Sequence, residues 1–292
     1  MVRAFVFPGQ GSQAVGMGRE LSQAFAAARE VFEEVDEALQ QRLSRLMFEG
    51  PESDLVLTEN AQPALMAVSL AVLRVLEREG KLDLGRAVRF VAGHSLGEYS
   101  ALAAAGTFAL PDAARLLKAR GKAMQAAVPV GQGAMAAILG LDLEGVRSVV
   151  ADAAEGEVCA AANDNSDEQV VVSGATAAVE RAVELAKARG AKRCVMLPVS
   201  APFHCAMMEP AARVMEARLA TVAMSPPVVP LIANVTAEGV SDPVEIRRLL
   251  VEQVTALVRW RESVRFMKAA GVDTVVEVGA GKVLSGLVRR ID

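Results

Sequence analysis

Val88-Arg89-Phe90-Val91-Ala92-Gly93-His94-Ser95-Leu96-Gly97-Glu98-Tyr99-Ser100-Ala101-Leu102-Ala103-Ala104-Ala105-Gly106 is the stretch on which the fold turns. Residues 88–92 form a short apolar run that predicts a buried strand. Residues 97–105 predict an alanine-rich helix, closed by Gly106. Between them, Gly93-His94-Ser95-Leu96-Gly97 matches G-x-S-x-G, a serine at the tip of a strand-to-helix turn. The reason for the pattern is steric. The serine backbone is strained there, and only glycine fits two residues to either side. The turn lifts the Ser95 hydroxyl above the sheet edge. It also sets Ser95 at a helix N-terminus, where unpaired N–H groups and the helix dipole stabilise negative charge. The N–H of Leu96 is then a candidate oxyanion donor. A plain structural turn is the competing reading, because short matches of this kind also arise by chance in glycine-rich chains.

A nucleophilic serine needs a base, and the chain holds two histidines. His94 adjoins Ser95, and neighbouring side chains diverge at a sharp turn, so it is a poor base. His204 remains, in Ala201-Pro202-Phe203-His204. It follows a predicted strand at 194–199, whose end would deliver it to the sheet edge that carries Ser95. A lone histidine is more often structural than catalytic, so elimination carries this assignment. No third triad member is obvious. Asp164 and Asp167 lie between the two residues in sequence, but inside a separate small unit. A backbone carbonyl or an amide can fix the imidazole tautomer instead.

Outward from the elbow, strands and helices alternate. A strand is predicted at 2–7, followed by the loop Pro8-Gly9-Gln10-Gly11-Ser12-Gln13 and a helix at 22–41. Helices follow at 61–79, with Pro63 placed in the first turn, and at 111–128. Residues 134–140, 143–153, 158–162, 169–173, 175–189 and 194–199 then run β-α-β-β-α-β, the split βαβ arrangement. Residues 129–197 are therefore expected to form a small inserted domain. Residues 1–128 and 198–292 form the large one. The large part resumes with a helix at 210–222, a strand at 229–234, helices at 243–254 and 261–270, a strand at 274–278 and a last helix. The alternation predicts an α/β fold with a mostly parallel sheet.

The bulk properties agree. A length of 292 residues suits one large domain with an insertion, and 52% apolar residues allow a sizeable core. Aromatics make up only 4%, so that core must be built from Ala, Val, Leu and Met. The net charge of -4 provides no global field for nucleic acid or an anionic membrane. The three cysteines, Cys159, Cys194 and Cys205, form no CxxC pair. Neither a disulfide framework nor a metal site is expected, and a reducing cytoplasm fits. No segment reaches the roughly 18 uninterrupted apolar residues of a membrane span, and the N-terminal run is too short for a signal peptide.

Gly9-Gln10-Gly11-Ser12-Gln13-Ala14 fits G-x-G-x-x-A after a strand, which raises a dinucleotide site. That motif needs a second strand ending in an acid about 20 residues on. Here the chain continues as helix through Glu30, Glu33, Glu34 and Asp36. The favoured reading is that the Gln10 N–H supplies a second oxyanion donor. Gly279-Ala280-Gly281-Lys282 lacks the spacing of a phosphate loop and predicts a strand-to-helix turn.

Five motifs occur in order along nearly the whole chain: residues 7–13, 93–99, Lys118-Ala119-Arg120-Gly121, Ala201-Pro202-Phe203-His204, and Val278-Gly279-Ala280-Gly281-Lys282-Val283-Leu284. Together they resemble the malonyl-CoA:acyl carrier protein transacylases of bacterial fatty-acid synthesis. The resemblance implies an α/β-hydrolase-like large domain with an inserted ferredoxin-like small domain. It implies Ser95 as the acylated residue, His204 as general base, and Gln10 and Leu96 as oxyanion donors. It also implies that Arg120 grips the malonyl carboxylate, that the Gln253 backbone carbonyl holds the histidine, and that Asn163 lies at the cleft. The family often has proline at the position of Ala280 and near Asp167.

Without the resemblance, Arg120 reads as a surface residue of a helix. With it, the planar guanidinium would take the free carboxylate in two parallel hydrogen bonds. Acetyl would leave the guanidinium unpaired. Phe203 would crowd the carbon between the two malonyl carbonyls, which favours malonyl over methylmalonyl. Malonyl-CoA and acyl carrier protein are the expected partners, with no bound cofactor, and a monomer is expected. Carrier proteins are acidic, so Lys187, Arg189, Lys192 and Arg193 are candidates for docking, although such clusters are usually solvated faces. The competing functions are a serine hydrolase and a non-catalytic module that binds acyl carriers.

Overall fold

The computed structural model describes residues 1–199 and 201–292. Strand β1 (Arg3–Phe7) leads through the glycine-rich loop to helices α1 (Arg19–Ala24), α2 (Ala26–Leu39), α3 (Leu43–Glu49), α4 (Glu52–Leu55), α5 (Thr58–Arg78) and α6 (Leu84–Ala87). β2 (Phe90–Gly93), α7 (Leu96–Ala104) and α8 (Leu110–Ala127) follow. Next come β3 (Gly133–Leu139), α9 (Leu143–Ala154), β4 (Cys159–Ser166), β5 (Gln169–Ala175), α10 (Thr176–Ala188) and β6 (Arg193–Met196). The chain then runs through α11 (Glu209–Thr221), β7 (Leu231–Ile232), β8 (Gly239–Val240), α12 (Pro243–Glu252), α13 (Trp260–Ala269), β9 (Thr274–Glu277) and α14 (Val283–Ile291).

Two sheets result. The first has the order β8-β7-β2-β1-β9, parallel except for the edge strand β8. Strand side chains alternate between faces. Phe5, Phe7, Val91 and Leu231 therefore join the main core with α2, α5, α7 and α8. Ala4, Val6, Phe90, Ala92 and Ile232 face the other way, onto Trp260 and Met267 of α13 and Leu284 and Leu287 of α14. Both faces are covered, which is why these strands are continuous apolar runs in sequence. The second sheet is antiparallel, with the order β4-β5-β3-β6. Ala136, Ile138, Val170 and Val172 pack beneath α9 and α10. Met135, Ala137 and Val171 point the opposite way and are part of the main core. The second sheet is thus fixed to the first through its own alternate face.

Several local expectations change. The predicted helix at 22–41 is two helices, broken at Phe25, whose backbone is extended (φ -129, ψ 121) and whose ring packs on the main core. Helix α5 begins at Thr58, so Pro63 lies inside it and not in its first turn. Strand β6 stops at Met196 and pairs with β3 of the antiparallel sheet. It therefore does not carry His204 to the edge that bears Ser95, because its hydrogen-bonding partner belongs to the other sheet. Helices α3 and α4 and strand β8 are 7, 4 and 2 residues long, too short for a periodic signal. Among the described residues no helix is long and apolar enough to cross a membrane.

Candidate active site

Strand β2 ends at Gly93 and helix α7 begins at Leu96, so Ser95 occupies the turn between them with φ 53 and ψ -112. That left-handed backbone is strained for a residue with a side chain and persists only where its surroundings enforce it. The enforcement is close packing. A Cβ on Gly93 would lie 1.9 Å from the Gly97 carbonyl, and one on Gly97 would lie 2.2 Å from the Phe7 carbonyl oxygen. No side chain fits at either place. The sequence expectation for the two glycines has this physical basis.

His204 arrives differently. It follows the turn at Pro202, which packs where a Cβ on Gly133, at the start of β3, would lie 2.4 Å away. His204 also has positive φ, 59°. Its Nε2 lies 2.7 Å from Ser95 Oγ, and its Nδ1 lies 2.9 Å from the Gln253 carbonyl oxygen. A carbonyl can only accept, so Nδ1 carries the proton and Nε2 is left as the acceptor of the serine O–H. The missing third member is thus a backbone carbonyl just beyond α12, one of the two options left open by sequence. Burial, then the nearby Arg120 charge, pushes the His204 pKa down to about 3. The other histidine, His94, directs its Nε2 to Asn165 Oδ1 at 2.9 Å and not to Ser95.

Arg120, on α8, is 1% exposed, so the surface reading of this residue is wrong. Its guanidinium donates to Gln62 Oε1 (2.9 Å), Gln253 Oε1 (2.8 Å) and Ser95 Oγ (3.2 Å). Among the described residues no carboxylate lies within ion-pair distance of it. A buried arginine held by amide and hydroxyl oxygens keeps a positive charge beside Ser95 with no carboxylate in contact, the nearby Glu98 being separated from it by the Gln253 amide. Such a charge favours an anion.

These groups share a cavity of about 260 Å³, lined by Gln10, Ser95, Leu96, Arg120, Asn163, Phe203 and His204 among others. The backbone N–H groups of Gln10 and Leu96 donate to no acceptor among the described residues. They remain free to bind an oxyanion. The Gln10 side chain accepts from Thr58 (2.9 Å), whose hydroxyl accepts from Gln62 (2.9 Å), so the glycine-rich loop connects through polar contacts to Arg120. Every residue assigned to the site by sequence comes to this cleft or borders it. Gln253 does so from behind, 1% exposed, through both its carbonyl and its amide.

Sequence reasoning missed Asn234, just past β7. Its Oδ1 accepts from Ser95 N–H (2.8 Å) and its Nδ2 donates to Gly93 carbonyl (2.7 Å), a clasp across the elbow. The one available signal was a polar residue at the carboxyl end of a parallel strand, where open α/β sheets place their sites. Glu98 was also missed. It is an acid in an otherwise apolar helix, three residues after the nucleophile.

The basic cluster proposed for docking is largely neutralised by its own neighbours. Lys187 pairs with Glu184 (2.7 Å), Lys192 with Glu168 (3.0 Å), and Arg189 with Asp152. At the turn 279–282, the Leu284 and Ser285 N–H groups of α14 donate to the Glu277 carboxylate (3.0 and 2.7 Å). That helix start already holds the chain's own acid. Among the described residues no group of three or more potential ligands could hold a metal ion.

A profile of the acyl transferase domain matches residues 4–290. The chain belongs to the acyl transferase domain family. The resemblance drawn from five ordered motifs therefore holds. A Bacillus subtilis (strain 168) relative, malonyl CoA-acyl carrier protein transacylase, is 47% identical over 290 residues, covering 99% of this chain and 90% of that protein. The solved acyl-carrier-protein-S-malonyltransferase of Bartonella henselae is 59% identical with a TM-score of 0.98, covering 100% of this chain and 93% of that one. A second solved structure is a type II PKS acyl-carrier protein in complex with its malonyl-transacylase. It is 44% identical with a TM-score of 0.96 and covers 100% and 93% of the two chains.

Proposed function

We propose that this acyltransferase moves a malonyl group from malonyl-CoA to the phosphopantetheine thiol of an acyl carrier protein, through a malonyl ester on Ser95. The observation that carries this reading is one oxygen with two partners. Ser95 Oγ lies 2.7 Å from the base His204 and 3.2 Å from the buried cation Arg120. The relatives above, a malonyl CoA-acyl carrier protein transacylase and a malonyl-transacylase in complex with its acyl-carrier protein, support the donor and acceptor.

The cycle is ping-pong. His204 Nε2 takes the Ser95 proton as Oγ bonds to the thioester carbonyl carbon. The N–H groups of Gln10 and Leu96 hold the resulting oxyanion. Collapse breaks the C–S bond, and coenzyme A leaves as a thiol with the proton from His204. The carrier thiol then gives its proton to His204 and its sulfur bonds to the ester carbonyl carbon; the C–Oγ bond breaks, and His204 returns the proton to Ser95 Oγ. Arg120 takes the free carboxylate in a bidentate pair, while Phe203 and Asn163 border the acyl chain. Once the carboxylate arrives, the charge of Arg120 is balanced and no longer opposes the imidazolium that forms at His204. No cofactor takes part in these steps.

Residues 129–197 are assigned to a ferredoxin-like small domain inserted in an α/β-hydrolase-like large domain of 1–128 and 198–292. The strand order β4-β5-β3-β6, with α9 and α10 on one face, supports the first assignment. The cleft is complete within one chain, which supports a monomer, and fatty-acid synthesis in the cytoplasm is the proposed setting.

Intact-mass measurement after brief exposure to malonyl-CoA tests the function. A malonyl adduct that is absent in Ser95→Ala and discharged by carrier protein is expected. Free malonate formed equally with and without carrier would instead identify a hydrolase, and absence of any adduct would leave only a binding module.

A further inference from the structure

The Gln253 side chain is the junction of the site. Its Oε1 accepts from Arg120 (2.8 Å), and its Nε2 donates to Glu98 Oε2 (2.6 Å) and to the Ser95 carbonyl (3.0 Å). Its backbone carbonyl holds His204. An amide can face either way, and nothing in its own shape selects one orientation. Here the two orientations are far from equal. Turned over, the amide would set its NH2 against the guanidinium, donor to donor, and its oxygen against a carboxylate and a carbonyl, acceptor to acceptor.

We propose that Glu98 is a positioning residue for Arg120: its ionised carboxylate, only an acceptor, fixes together with the Ser95 carbonyl which way the Gln253 amide faces, and that amide aims the guanidinium at the substrate carboxylate. The inference rests on the function proposed above.

Glu98 sits on α7, one turn beyond Ser95, and is 1% exposed. The same Oε2 also accepts from Asn234 N–H at 3.3 Å, so the carboxylate is itself held in place. Its burial is unfavourable to the charge and lifts its pKa to about 7, which the Gln253 and Asn234 bonds and Arg120 only partly offset. A glutamine at this position would fill the same space without a buried charge. It would also present a donor or an acceptor with equal ease, and so would withdraw the strongest of the contacts that hold the Gln253 amide, leaving its orientation to Arg120 and the Ser95 carbonyl. The ionised carboxylate, the form that prevails above about pH 7, removes that ambiguity, and Glu98 is not among the residues that line the cavity.

The test compares wild type, Glu98→Gln and Glu98→Ala for kcat and KM with malonyl-CoA and with acetyl-CoA, with carrier protein as acceptor. In Glu98→Ala the malonyl-over-acetyl ratio of kcat/KM falls about tenfold, chiefly through a higher KM for malonyl-CoA, and in Glu98→Gln it falls about threefold. In a Gln253→Met background, which keeps the carbonyl that holds His204, Glu98→Gln brings no further change in the ratio. An unchanged ratio in folded Glu98→Ala overturns the proposal, as does a Glu98→Gln effect that persists undiminished beside Gln253→Met. If Glu98→Ala does not fold, an unchanged ratio in Glu98→Gln overturns it equally. A wild-type protein that transfers no malonyl at all refutes the function itself, before any variant is measured.

Discussion

Ser95 and His204 are 2.7 Å apart, yet the chain brings them there by opposite means. The elbow at 93–97 is dictated by contacts within arm's length: a strand end, a helix start and two glycines with no room for a methyl group. His204 is held by a hydrogen bond that its Nδ1 donates to a carbonyl 49 residues further along. Sterics make the first rigid, within the turn at Gly93 and against the Phe7 carbonyl of β1 at Gly97. The second exists only once α12 and the antiparallel sheet have docked. The Ser95 turn is therefore set by its nearest contacts, while the placement of His204 and Arg120 belongs to the assembled core.

The sharpest way to break that contrast is at the local end. Gly97→Ala puts a Cβ 2.2 Å from a backbone oxygen that cannot move without shifting β1. A loss of about 4 kcal/mol or more of folding stability is expected, seen as a lower denaturant midpoint or loss of soluble protein. A folded, active variant would show that the turn is far looser than its packing indicates. At the assembled end, Arg120→Ala should lower malonyl-over-acetyl selectivity about 100-fold while the Ser95 adduct can still form from acetyl-CoA. Steady-state rates on both donors measure this, and an unchanged preference would remove Arg120 from the acyl site. Asn234→Ala strikes the join between the two ends. It deletes both bonds of the clasp on Ser95 and Gly93 and should cost about 2 kcal/mol, measured by chemical denaturation, with a lower rate of Ser95 acylation.

The smallest expected effect is on pH. His204 is held neutral down to about pH 3, so single-turnover acylation between pH 7 and 5 should change less than about twofold on its account. A break near the ordinary histidine value would mean that water reaches the ring. Stability follows a related pattern. The unfolded imidazole takes up a proton below about pH 6.5, while the folded one does so only near 3, so its stabilising contribution is lost as pH falls through that window. Glu98 acts in the opposite sense. Its folded pKa of about 7 lies above the ordinary 4.5, so its contribution is full at low pH and is lost as pH rises through 7. Thermal denaturation of Glu98→Gln across pH 5–8 separates the two. The variant should gain stability over wild type at the alkaline end and lose more of its own on acidification.

Much of this was legible in the residues themselves. The period of the apolar runs located the main strands, and G-x-S-x-G named Ser95. Counting histidines left His204, although the expected route to it, along the end of β6, was wrong. A strand's partner is chosen by tertiary pairing, and β6 pairs with β3. Arg120 could be named only by resemblance, because nothing in a helical arginine shows whether it faces water. Asn234 lay in no motif, and Glu98 lay in the motif 93–99 with no role attached to it. Their roles lie in hydrogen bonds to residues 139 and 155 positions away.

By itself, then, the sequence determined the main elements and the turn that carries Ser95, since these depend on periodicity and on the close packing that glycine permits at 93 and 97. Only the tertiary structure decided which carbonyl fixes the imidazole tautomer, how deeply Arg120 is buried and which way the Gln253 amide faces. Those depend on directional bonds between distant segments, whose partners are set by packing and carry no local mark.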